Sequence, residues 1–550
     1  MFIVKYYLLI SVLSLLAAVF SPSWYFTVIL AWVSLSLFAV SMAYITDSPW
    51  IFRKNDRGDI PLYIQWVFIP FLLGVQMYNS WQRKTDSVPP LQEIKPGIFL
   101  ACRLFPSDIE ILRKENVSAI LDATAEFSGL IWSAQDEDLD YLNVPILDHK
   151  APHKQDIEKA INWIHNHIRD NKSVVVHCAL GRGRSVLIVA AYLIATNYSE
   201  SVDAAIKLIN GIRGTARLNK YQHRKLDAMH KEGLLSIKSR ALLVANPSSG
   251  RQTWDDVQDQ ILQTLQQRYQ VDVLLTQQNQ PVEERCSREK ITKFDAVFAC
   301  GGDGTVNEVA QLVKESDTVL GIIPLGTTNA LCHVLYGKRS KIAPVSTALE
   351  VINQQHQVTM DVAKCNNEIL LLVAGIGVER DMIAGADKQR KSERGELAYL
   401  DALRLAFTDS TEKAYKLSIN SMAPDIVLAN SIVVANAAPA TTILAQGSGK
   451  VDPFVGQLDV TILNLEQSVS EPVAKVLTQS VSGGNAQVGQ SNAMRYMRAE
   501  NVTIRLADES PIDYVIDGEL RTAQTVKISV IPKALKLFAA ASTIQRFETV

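Results

Sequence analysis

The chain has 550 residues, its 55 Lys and Arg nearly balance 57 Asp and Glu, and 47% of its residues are hydrophobic. A single hydrophobic core stops growing efficiently at roughly 250 to 300 residues, so this length predicts two or more domains. The charge balance gives no reason to expect a nucleic acid as partner. The six cysteines are scattered without a CxxC pair, which argues against a zinc site or a disulfide framework and indicates a reducing compartment.

The amino-terminal region contains three apolar runs, Phe2 to Phe20, Trp24 to Ile45 and Leu62 to Tyr78. Each is near the roughly 17 to 25 residues that a helix needs to cross a bilayer. Trp and Tyr residues lie in or near the runs, several at the ends, where aromatic rings favour the membrane interface. We predict a transmembrane anchor of two or three helices over residues 1–81. A cleaved signal peptide is the alternative for the first run, but two more apolar runs follow it at once.

The basic residues around these runs give conflicting orientations. The cluster at 53–57 follows the second run, and Arg83 and Lys84 follow the third; both groups favour the cytosol under the positive-inside rule. Both cannot lie there if all three runs cross. Either the third run, which contains Pro70, does not span completely, or the amino terminus lies outside.

Alternating strand and helix patterns follow the apolar region. Prolines and mixed charges over 82–96 indicate a linker, and a first soluble domain is expected over 97–235. Its strand-like runs are Ile98–Ala101, Ala119–Leu121 and Ser173–Val176, and Ile157–Ile168 has the spacing of an amphipathic helix. The alternation predicts an α/β fold.

A glycine-rich loop, His177-Cys-Ala-Leu-Gly-Arg-Gly-Arg-Ser185, lies between the last of these strands and an apolar helix. A loop in this position directs backbone N–H groups at one point, and the helix dipole adds positive charge. Such a cradle fits a phosphate and stabilises a thiolate, so Cys178 is a candidate nucleophile. Arg184 can bind two phosphoryl oxygens, and Ser185 can donate a hydrogen bond to the departing thiolate. The alternative for Cys178 is an inert, buried structural thiol.

A leaving alkoxide also needs a proton donor. Asp148, in a proline-flanked loop upstream, is the candidate acid, because loop closure can bring it over the phosphate. The alternative for Asp148 is an ordinary surface turn.

With these motifs, residues from about 92 to 235 resemble the dual-specificity protein phosphatases. The resemblance implies a phosphocysteine intermediate, no metal, and the roles of nucleophile, phosphate binder and acid for Cys178, Arg184 and Asp148. Members of the family act on phosphoproteins, and some act on lipid phosphates, so the substrate is expected to be a protein or lipid phosphomonoester. The anchor and the neighbouring domain favour a lipid phosphate.

A second cycle of strands and helices starts at Ala241 and predicts a second soluble domain over 240–545. Residues 240–356 alternate strands and helices, whereas strand-like runs dominate 357–525, and the chain is expected to return to the first lobe at its end. The runs are Ile369–Ala374, Ile426–Ala435, Leu458–Leu463, Val502–Leu506 and Val526–Ile531. A largely β second lobe is therefore predicted.

The first lobe has three loops at strand ends: Asn246 to Gly250, Gly301 to Thr305, and Pro324 to Asn329. Loops at the carboxyl ends of parallel strands converge on one crevice, so the three predict one nucleotide site. Their glycines allow close approach to phosphates, and the two threonines add hydroxyl donors. One such loop alone would be an ordinary turn, and Walker and dinucleotide fingerprints are absent. The residues expected to bind the cofactor are Asn246, Ser249, Gly250, Gly301, Gly302, Asp303, Gly304, Thr305, Gly326, Thr327 and Asn329.

This combination, over about residues 240 to 545, resembles the diacylglycerol kinase catalytic domain and related sphingosine and bacterial lipid kinases. The resemblance implies ATP and Mg²⁺ as cofactors, with Asp303 beside the phosphates and the metal, and an α/β nucleotide lobe plus a β-sandwich lobe. It also implies that Asp517 or Glu519 is the general base for a lipid hydroxyl, without deciding between them. Ala330 stands where many relatives have Asp, which puts part of the phosphate or magnesium network in doubt.

These features predict a membrane-bound bifunctional enzyme that phosphorylates a diacylglycerol-like lipid and hydrolyses a phosphomonoester. Two alternatives stay open. The phosphatase fold can be a non-catalytic phosphate-binding module, or the kinase can phosphorylate NAD, because NAD kinases share the Gly-Gly-Asp-Gly-Thr loop. Since ATP and reduced thiols are cytosolic, both soluble domains are expected on the cytoplasmic face of a membrane, taken to be a bacterial inner membrane.

Overall fold

The fold is that of a computed structural model, which describes residues 2–86, 88–105, 108–129, 139–249, 254–277, 280–378, 380, 411–438, 445, 451–464 and 494–548. The chain forms two compact units, Met1–Lys238 and Ser239–Val550.

The first unit consists of apolar helices followed by a five-stranded sheet flanked by helices. Its helices are α1 (Phe2–Val19), α2 (Trp24–Thr46), α3 (Leu62–Thr85), α4 (Ile109–Lys114), α5 (Lys154–Arg169), α6 (Arg184–Ala195), α7 (Val202–Ile212) and α8 (Lys220–Lys231), with a 3₁₀ turn at Pro49–Phe52. Its strands are β1 (Leu91–Lys95), β2 (Ile98–Ala101), β3 (Val117–Asp122), β4 (Asp140–Asn143) and β5 (Ser173–His177).

The first two apolar runs form a helical hairpin, α1 and α2. The Ser11 hydroxyl donates to the Ser34 carbonyl at 2.9 Å, so the two helices are in direct contact. Large apolar side chains such as Leu13 and Leu35 remain exposed on the outside of the hairpin. Among the described residues, α2 alone is long and apolar enough to cross a membrane by length and composition, and α1 is a shorter apolar helix.

The third apolar run forms α3, which does not meet that criterion, and both of its ends are attached to the globular part of the unit. Before it, Lys54 Nζ lies 2.7 Å from Asp122 Oδ2. Near its end, Arg83 Nη2 lies 2.8 Å from Asp108 Oδ1. The helix runs through Pro70 without a break. The supposed linker at 82–96 therefore needs correction: it contains the last turn of α3, fixed by Arg83, and strand β1, which pairs with β2.

The sheet of the first unit has the order β1-β2-β5-β3-β4. Strands β2, β5, β3 and β4 are parallel, and β1 is antiparallel at the edge. Helix α6 is buried from Arg184 to Ile194, because it packs directly over the sheet. The predicted α/β alternation is confirmed, and the central strand β5 ends at the glycine-rich loop.

The second unit contains two β-sheets, and its parallel strands are linked through helices. Its helices are α9 (Trp254–Leu265), α10 (Val282–Arg285), α11 (Arg288–Ile291), α12 (Asp303–Val313), α13 (Ala330–Tyr336), α14 (Pro344–Gln354) and α15 (Ala541–Glu548), with a 3₁₀ turn at Lys338–Lys341. Its strands are β6 (Ser239–Ala245), β7 (Tyr269–Leu275), β8 (Ala296–Gly301), β9 (Val319–Pro324), β10 (Gln357–Cys365), β11 (Glu368–Leu370), β12 (Val373–Gly377), β13 (Lys413–Ile419), β14 (Asp425–Ala429), β15 (Ser431–Ala435), β16 (Leu458–Leu463), β17 (Met494–Ala499), β18 (Asn501–Leu506), β19 (Ile512–Ile516), β20 (Glu519–Ala523) and β21 (Val526–Phe538).

One sheet runs through both lobes of this unit. Its order is β14-β13-β18-β21-β9-β8-β6-β7, with β10 and β11 branching from β21. Strands β9, β8, β6 and β7 are parallel, and the end of β21 joins them through Leu537 beside Leu320. An antiparallel sheet, β17-β16-β15-β12-β19-β20, forms the other layer. Side chains from both sheets share one buried cluster, which is the packing of a β-sandwich.

Three predicted element boundaries in this unit are corrected. The run at 426–435 is two strands in different sheets, because Asn430 interrupts it and donates its N–H to the Leu463 carbonyl at 2.8 Å. The run at 369–374 divides into β11 and β12, because the intervening amides bind the Asp517 carboxylate. Helix α12 begins at Asp303 rather than near Val306, so its first turn contributes to the second glycine-rich loop.

Candidate active sites

The first candidate site lies where β5 ends and α6 begins. Cys178 is buried there, and two donors point at its sulfur. The Gly181 N–H and the Ser185 hydroxyl each lie 3.2 Å from Cys178 Sγ. Both donors are placed to hydrogen-bond a thiolate, the form of cysteine that acts as a nucleophile.

The loop after Cys178 is held by bonds to its carbonyl groups. The Gly181 carbonyl accepts from Arg213 Nε at 2.9 Å, and the Ala179 carbonyl accepts from the Arg103 N–H at 3.1 Å. Gly181 has a φ of +66°, and a Cβ there would lie 2.7 Å from the Ala101 carbonyl oxygen. Because these carbonyls are engaged away from the sulfur, the loop can turn its N–H groups inward to form an anion cradle.

Arg184 has one free edge for a ligand. Nη1 donates to Glu126 Oε2 and to the Ile146 carbonyl, and Nη2 donates to Glu126 Oε1, each at 2.8 Å. Nε–H is buried and makes no hydrogen bond within the described part of the chain, and it shares an edge with the second N–H of Nη2. This edge is a fork suited to two phosphoryl oxygens. Burial alone would lower the pKa of Arg184, but the Glu126 and Asp148 carboxylates raise it well above its usual value.

Asp148 lines the same cavity as Cys178 and Arg184. Its Oδ1 lies 3.5 Å from Arg184 Nε, and its side chain is half exposed. Glu126, which fixes the orientation of Arg184, was not among the residues predicted from the sequence. The available signal was its position: it follows β3, whose carboxyl end lies beside that of β5.

A buried polar cluster lies next to the loop that contains Cys178. Lys54, from the segment between α2 and α3, pairs with Asp122 at 2.7 Å, and both side chains are 1% exposed. Asp122 Oδ1 also lies 3.7 Å from Nε2 of His177, the residue before the cysteine. Burial opposes ionisation of Asp122, but Lys54 and His177 hold its pKa well below the usual range. The apolar helices are thereby tied to the base of the site.

The second candidate site lies at the carboxyl ends of β6, β8 and β9, where the three loops meet. Asn246 Nδ2 lies 3.4 Å from Thr305 Oγ1, and the Leu325 N–H donates to the Gly301 carbonyl at 2.9 Å. A Cβ on Gly326 would lie 2.6 Å from the Gly302 Cα. The second and third loops touch at these glycines, so position 326 does not accept a larger residue.

The other predicted binding residues differ in their access to a ligand. Gly304 and Thr327 are exposed, and Gly302 and Ser249 are partly exposed. Thr305 is buried, and its hydroxyl already contacts Asn246. Gly250 lies outside the residues that the structure describes.

Asp303 is the first residue of α12 and caps the next helix of the lobe. Its Oδ1 accepts the Ala330 N–H at 2.8 Å. Burial raises the pKa of Asp303, and N–H groups of Ala330, Asn329 and Leu331 partly oppose that shift. The backbone N–H of Ala330 therefore helps to hold the Asp303 carboxylate in place.

The two candidate bases have opposite surroundings. Asp517 Oδ1 accepts N–H groups of Leu372 and Val373 at 2.9 and 3.0 Å, and Oδ2 accepts the Leu371 N–H at 2.8 Å and Asn307 Nδ2 at 3.2 Å. A carboxylate has about four acceptor positions, so all those of Asp517 are occupied. Burial raises its pKa to about 6. Glu519, by contrast, is exposed and is only 3.9 Å from Arg521 Nη1.

Comparison with known proteins identifies both regions. Residues 98–232 match the family model of the dual specificity phosphatase catalytic domain, and residues 240–365 match that of the diacylglycerol kinase catalytic domain. The chain therefore joins a region that matches the phosphatase family to a region that matches the kinase family.

Relatives of known sequence match only parts of this chain. An uncharacterized protein of Synechocystis is 32% identical over 246 residues, which are 44% of this chain and 54% of that protein. A diacylglycerol kinase of Bacillus subtilis is 31% identical over 163 residues, 29% of this chain and 53% of the kinase. The chain thus spans about half the length of these curated relatives. A diacylglycerol kinase structure from Bacillus anthracis covers 56% of this chain and 98% of its own, at 19% identity and a TM-score of 0.41.

The kinase domain has oxygen atoms suited to Mg²⁺. Magnesium in such sites is held by one or two carboxylates together with substrate phosphates. Asp303 supplies a carboxylate, and Asn329 Oδ1 is a buried acceptor without a partner in the described residues. The described part of the chain contains no cluster of three or more His, Cys, Asp or Glu residues that could hold a metal by itself. The donor set therefore fits a cation that arrives with a nucleotide.

Proposed function

We propose that this protein is a membrane-bound bifunctional enzyme. Its kinase domain transfers the γ-phosphoryl group of ATP to the hydroxyl of a diacylglycerol-like lipid, and its phosphatase domain hydrolyses a protein or lipid phosphomonoester. The observation that carries the phosphatase assignment is the pair of donors on Cys178 Sγ beside the free edge of Arg184. The matches to both catalytic-domain families support the pairing of activities.

The phosphatase reaction follows from the groups around Cys178. The thiolate attacks phosphorus, so an S–P bond forms and the P–O bond to the leaving alcohol breaks. Arg184 and the loop amides hold the phosphoryl oxygens, and Asp148 gives its proton to the departing alkoxide. A water molecule then attacks phosphorus and returns a proton to Asp148. The S–P bond breaks, Ser185 donates to the leaving sulfur, and inorganic phosphate is released.

The kinase reaction uses the three loops to hold ATP. The N–H groups at the start of α12 and the glycines of the loops bind the phosphates, and Asp303 with Asn329 would hold Mg²⁺, which neutralises charge on the β- and γ-phosphates when bound. Glu519 removes the proton from the lipid hydroxyl, because it has free acceptor positions. Asp517 positions the segment around it through its four hydrogen bonds. The products are ADP and a lipid phosphate.

Membrane attachment is assigned to the hairpin of α1 and α2. Helix α3 is about 36 Å long, at 1.5 Å per residue, but its two ends are fixed to the same globular domain through Lys54 and Arg83. We propose that a helix attached in this way does not cross the bilayer, an arrangement that agrees with the positive-inside rule for both basic groups. Both basic groups then lie with the catalytic domains, and the uncharged turn at 20–23 lies opposite.

Paired variants of the purified full-length protein test the two activities separately. With Mg²⁺ and labelled ATP, we expect incorporation into diacylglycerol and not into NAD, and we expect release of phosphate from p-nitrophenyl phosphate. Cys178→Ser should abolish phosphate release and leave lipid phosphorylation intact. Asp303→Asn, which keeps an oxygen for the Ala330 N–H, should do the reverse. Labelling of NAD alone would refute the lipid kinase, and phosphate release by Cys178→Ser at the normal rate would refute the cysteine mechanism.

A further inference from the structure

We propose that the phosphatase domain takes a lipid phosphomonoester as its substrate and binds the apolar chain of that lipid in a cavity between the active-site loop and the amino-terminal helices. This inference rests on the proposed phosphatase activity and names its substrate class.

The cavity joins a phosphate site to an apolar wall. Its volume is about 770 Å³, toward the upper end of the range of roughly 300 to 1,000 Å³ for small-molecule sites. Cys178, Arg184 and Asp148 line one part of it. Side chains from all three amino-terminal helices line the other part: Ile10 from α1, Val33 and Leu37 from α2, and Phe71 and Val75 from α3. A molecule that fills this cavity needs a phosphate at one end and hydrocarbon at the other.

Three buried donors in the cavity wall make no hydrogen bond within the described chain, although Arg184 Nε has Asp148 Oδ1 at 3.5 Å. They are Arg184 Nε, Arg182 Nε and Asn79 Nδ2. A buried donor left unsatisfied costs about 1 to 3 kcal/mol, so such groups are expected to meet a ligand. The two arginines suit phosphoryl oxygens. Asn79, on α3 and almost fully buried, suits a neutral acceptor such as the ester carbonyl of a glycerolipid.

The apolar wall is fixed to the loop rather than loosely apposed. Phe52 and Phe71 belong to the same buried cluster as Ala125 and Leu147 of the phosphatase domain. Lys54 adds the buried ion pair with Asp122 at 2.7 Å. These attachments hold the hairpin of α1 and α2 over the cysteine.

The outer face of the same hairpin favours a lipid over a peptide. Leu9, Leu13 and Leu16 of α1 and Leu35 of α2 are each at least half exposed. Hydrocarbon on both the outer face and the cavity wall allows an acyl chain to pass from the bilayer to the cavity without entering water. A phosphopeptide would instead bring backbone N–H and C=O groups against the apolar wall, where most of them would have no partner.

A panel of phosphomonoesters, including two phosphatidic acids that differ only in their acyl chains, tests whether the cavity binds an acyl chain. The full-length protein in detergent micelles is offered dioleoyl phosphatidic acid, dibutyryl phosphatidic acid, p-nitrophenyl phosphate and a phosphotyrosine peptide. We expect kcat/KM for the long-chain lipid to exceed that for the short-chain lipid by about 100-fold, since each buried methylene favours binding severalfold. A wild-type protein with equal values for both, or with a preference for the peptide, would contradict the proposal.

A substitution that fills the cavity provides the structural control. Gly74 of α3 lines the cavity, and a Cβ there meets no atom within 4 Å, so Gly74→Phe fits without a backbone clash. We expect the ratio of kcat/KM for dioleoyl phosphatidic acid to that for p-nitrophenyl phosphate to fall about tenfold, as loss of two buried methylenes would cause. Gly211→Phe is the matched control, because Gly211 is an exposed, equally uncrowded helix residue outside the cavity. Its ratio should match that of the wild type.

A binding measurement tests the proposed acyl-chain site independently of the proposed phosphatase reaction. In Cys178→Ser the cavity is retained without the nucleophile, so affinity for a fluorescent long-chain phosphatidic acid reports the cavity alone. Gly74→Phe in this background should weaken binding about tenfold. If the wild type hydrolyses nothing but this difference is found, the reaction fails and the chain site stands. If p-nitrophenyl phosphate is hydrolysed but Gly74→Phe changes neither binding nor the ratio, the chain site alone fails.

Discussion

At the scale of single residues, the phosphatase site depends on how one guanidinium is held. Glu126 occupies one edge of Arg184 through two bonds of 2.8 Å and leaves the other edge free. Both side chains are nearly inaccessible to solvent, and the other carboxylate near Arg184, that of Asp148, lies at a longer distance of 3.5 Å. The carboxylate therefore positions Arg184 and also compensates its buried charge.

Replacing that carboxylate should weaken phosphate binding and the fold together. In Glu126→Gln an amide nitrogen faces the guanidinium donors, and Arg184 loses its counter-charge, a change that costs roughly 3 to 5 kcal/mol in buried pairs. We expect a lower Tm and a rise in KM for p-nitrophenyl phosphate of about tenfold or more. Asp148→Asn is the contrasting variant, since loss of the acid should lower kcat at unchanged Tm. A Glu126→Gln enzyme with wild-type KM and Tm would show that Glu126 does not position Arg184.

Variants of the two candidate bases of the kinase, Asp517 and Glu519, should likewise distinguish a catalytic role from a positioning role. Glu519→Gln removes the proposed base from an exposed position, so we expect kcat to fall about 100-fold or more, within the range for loss of acid–base catalysis, at unchanged Tm. Asp517→Asn places an amide nitrogen against two of the four donors and should lower Tm by several degrees. Thermal unfolding and lipid phosphorylation, measured on both variants, check this. If Glu519→Gln keeps full activity and Asp517→Asn loses it at normal Tm, Asp517 is the base.

At the scale of elements, the segment between α2 and α3 carries a buried ion pair into the phosphatase core. Lys54 and Asp122 are both almost inaccessible to solvent, and Lys54 Nζ also donates to the Thr124 carbonyl at 2.8 Å. The pair joins an apolar helical element to the sheet that supports Cys178. Its contribution must vary with pH, because the pKa of Asp122 is held well below its usual range.

The direction of that pH dependence follows from proton binding. A carboxyl whose pKa falls on folding stabilises the native state above its unfolded pKa of about 4, and this stabilisation is lost as the pH falls through the lowered native value. In Lys54→Met the unpaired Asp122 carboxylate should cost about 3 to 5 kcal/mol at pH 7. Acid then protonates Asp122, so the Tm deficit should shrink from pH 7 to pH 4. Lys54→Met combined with Asp122→Asn should recover most of the loss; a deficit independent of pH would contradict the assignment.

At the scale of the whole molecule, the arrangement of the amino-terminal helices decides the membrane topology. If α1 and α2 cross and α3 does not, the turn near Ser21 lies on one side, and Asp56 and Thr85 lie on the other with both catalytic domains. If α3 crosses, Asp56 and Thr85 lie on opposite sides. All six native cysteines are buried, so labelling of introduced cysteines has a low background.

Single cysteines at these three positions therefore distinguish the topologies. With an impermeant maleimide on intact cells, we expect Ser21→Cys to be labelled, and Asp56→Cys and Thr85→Cys to be labelled only after permeabilisation. Phosphatase and kinase activities of the variants confirm that each is folded. Labelling of Thr85→Cys but not Asp56→Cys in intact cells would show that α3 spans the membrane.

Much of both sites could be predicted from the chain because their chemistry is local. Cys178, Gly181 and Arg184 lie within one strand-loop-helix segment, where neighbouring residues dictate the backbone and the backbone directs the N–H groups. The same holds for Gly302 and Asp303 in the kinase domain. The α/β alternation was equally predictable, since the period of apolar residues changes between strands and helices.

The residue types proposed to bind phosphate could be found from the order of the chain, because those residues are neighbours along it. Their surroundings follow from the packing of distant segments. Glu126 lies 58 positions from Arg184, Asp517 lies 210 positions from Asn307, and Lys54 lies 68 positions from Asp122. No local spacing reveals such pairs, because burial by packing brings them together and makes their charges matter. The apolar wall over Cys178 has the same origin: a run of hydrophobic residues predicts a helix, but only packing reveals which surface it covers.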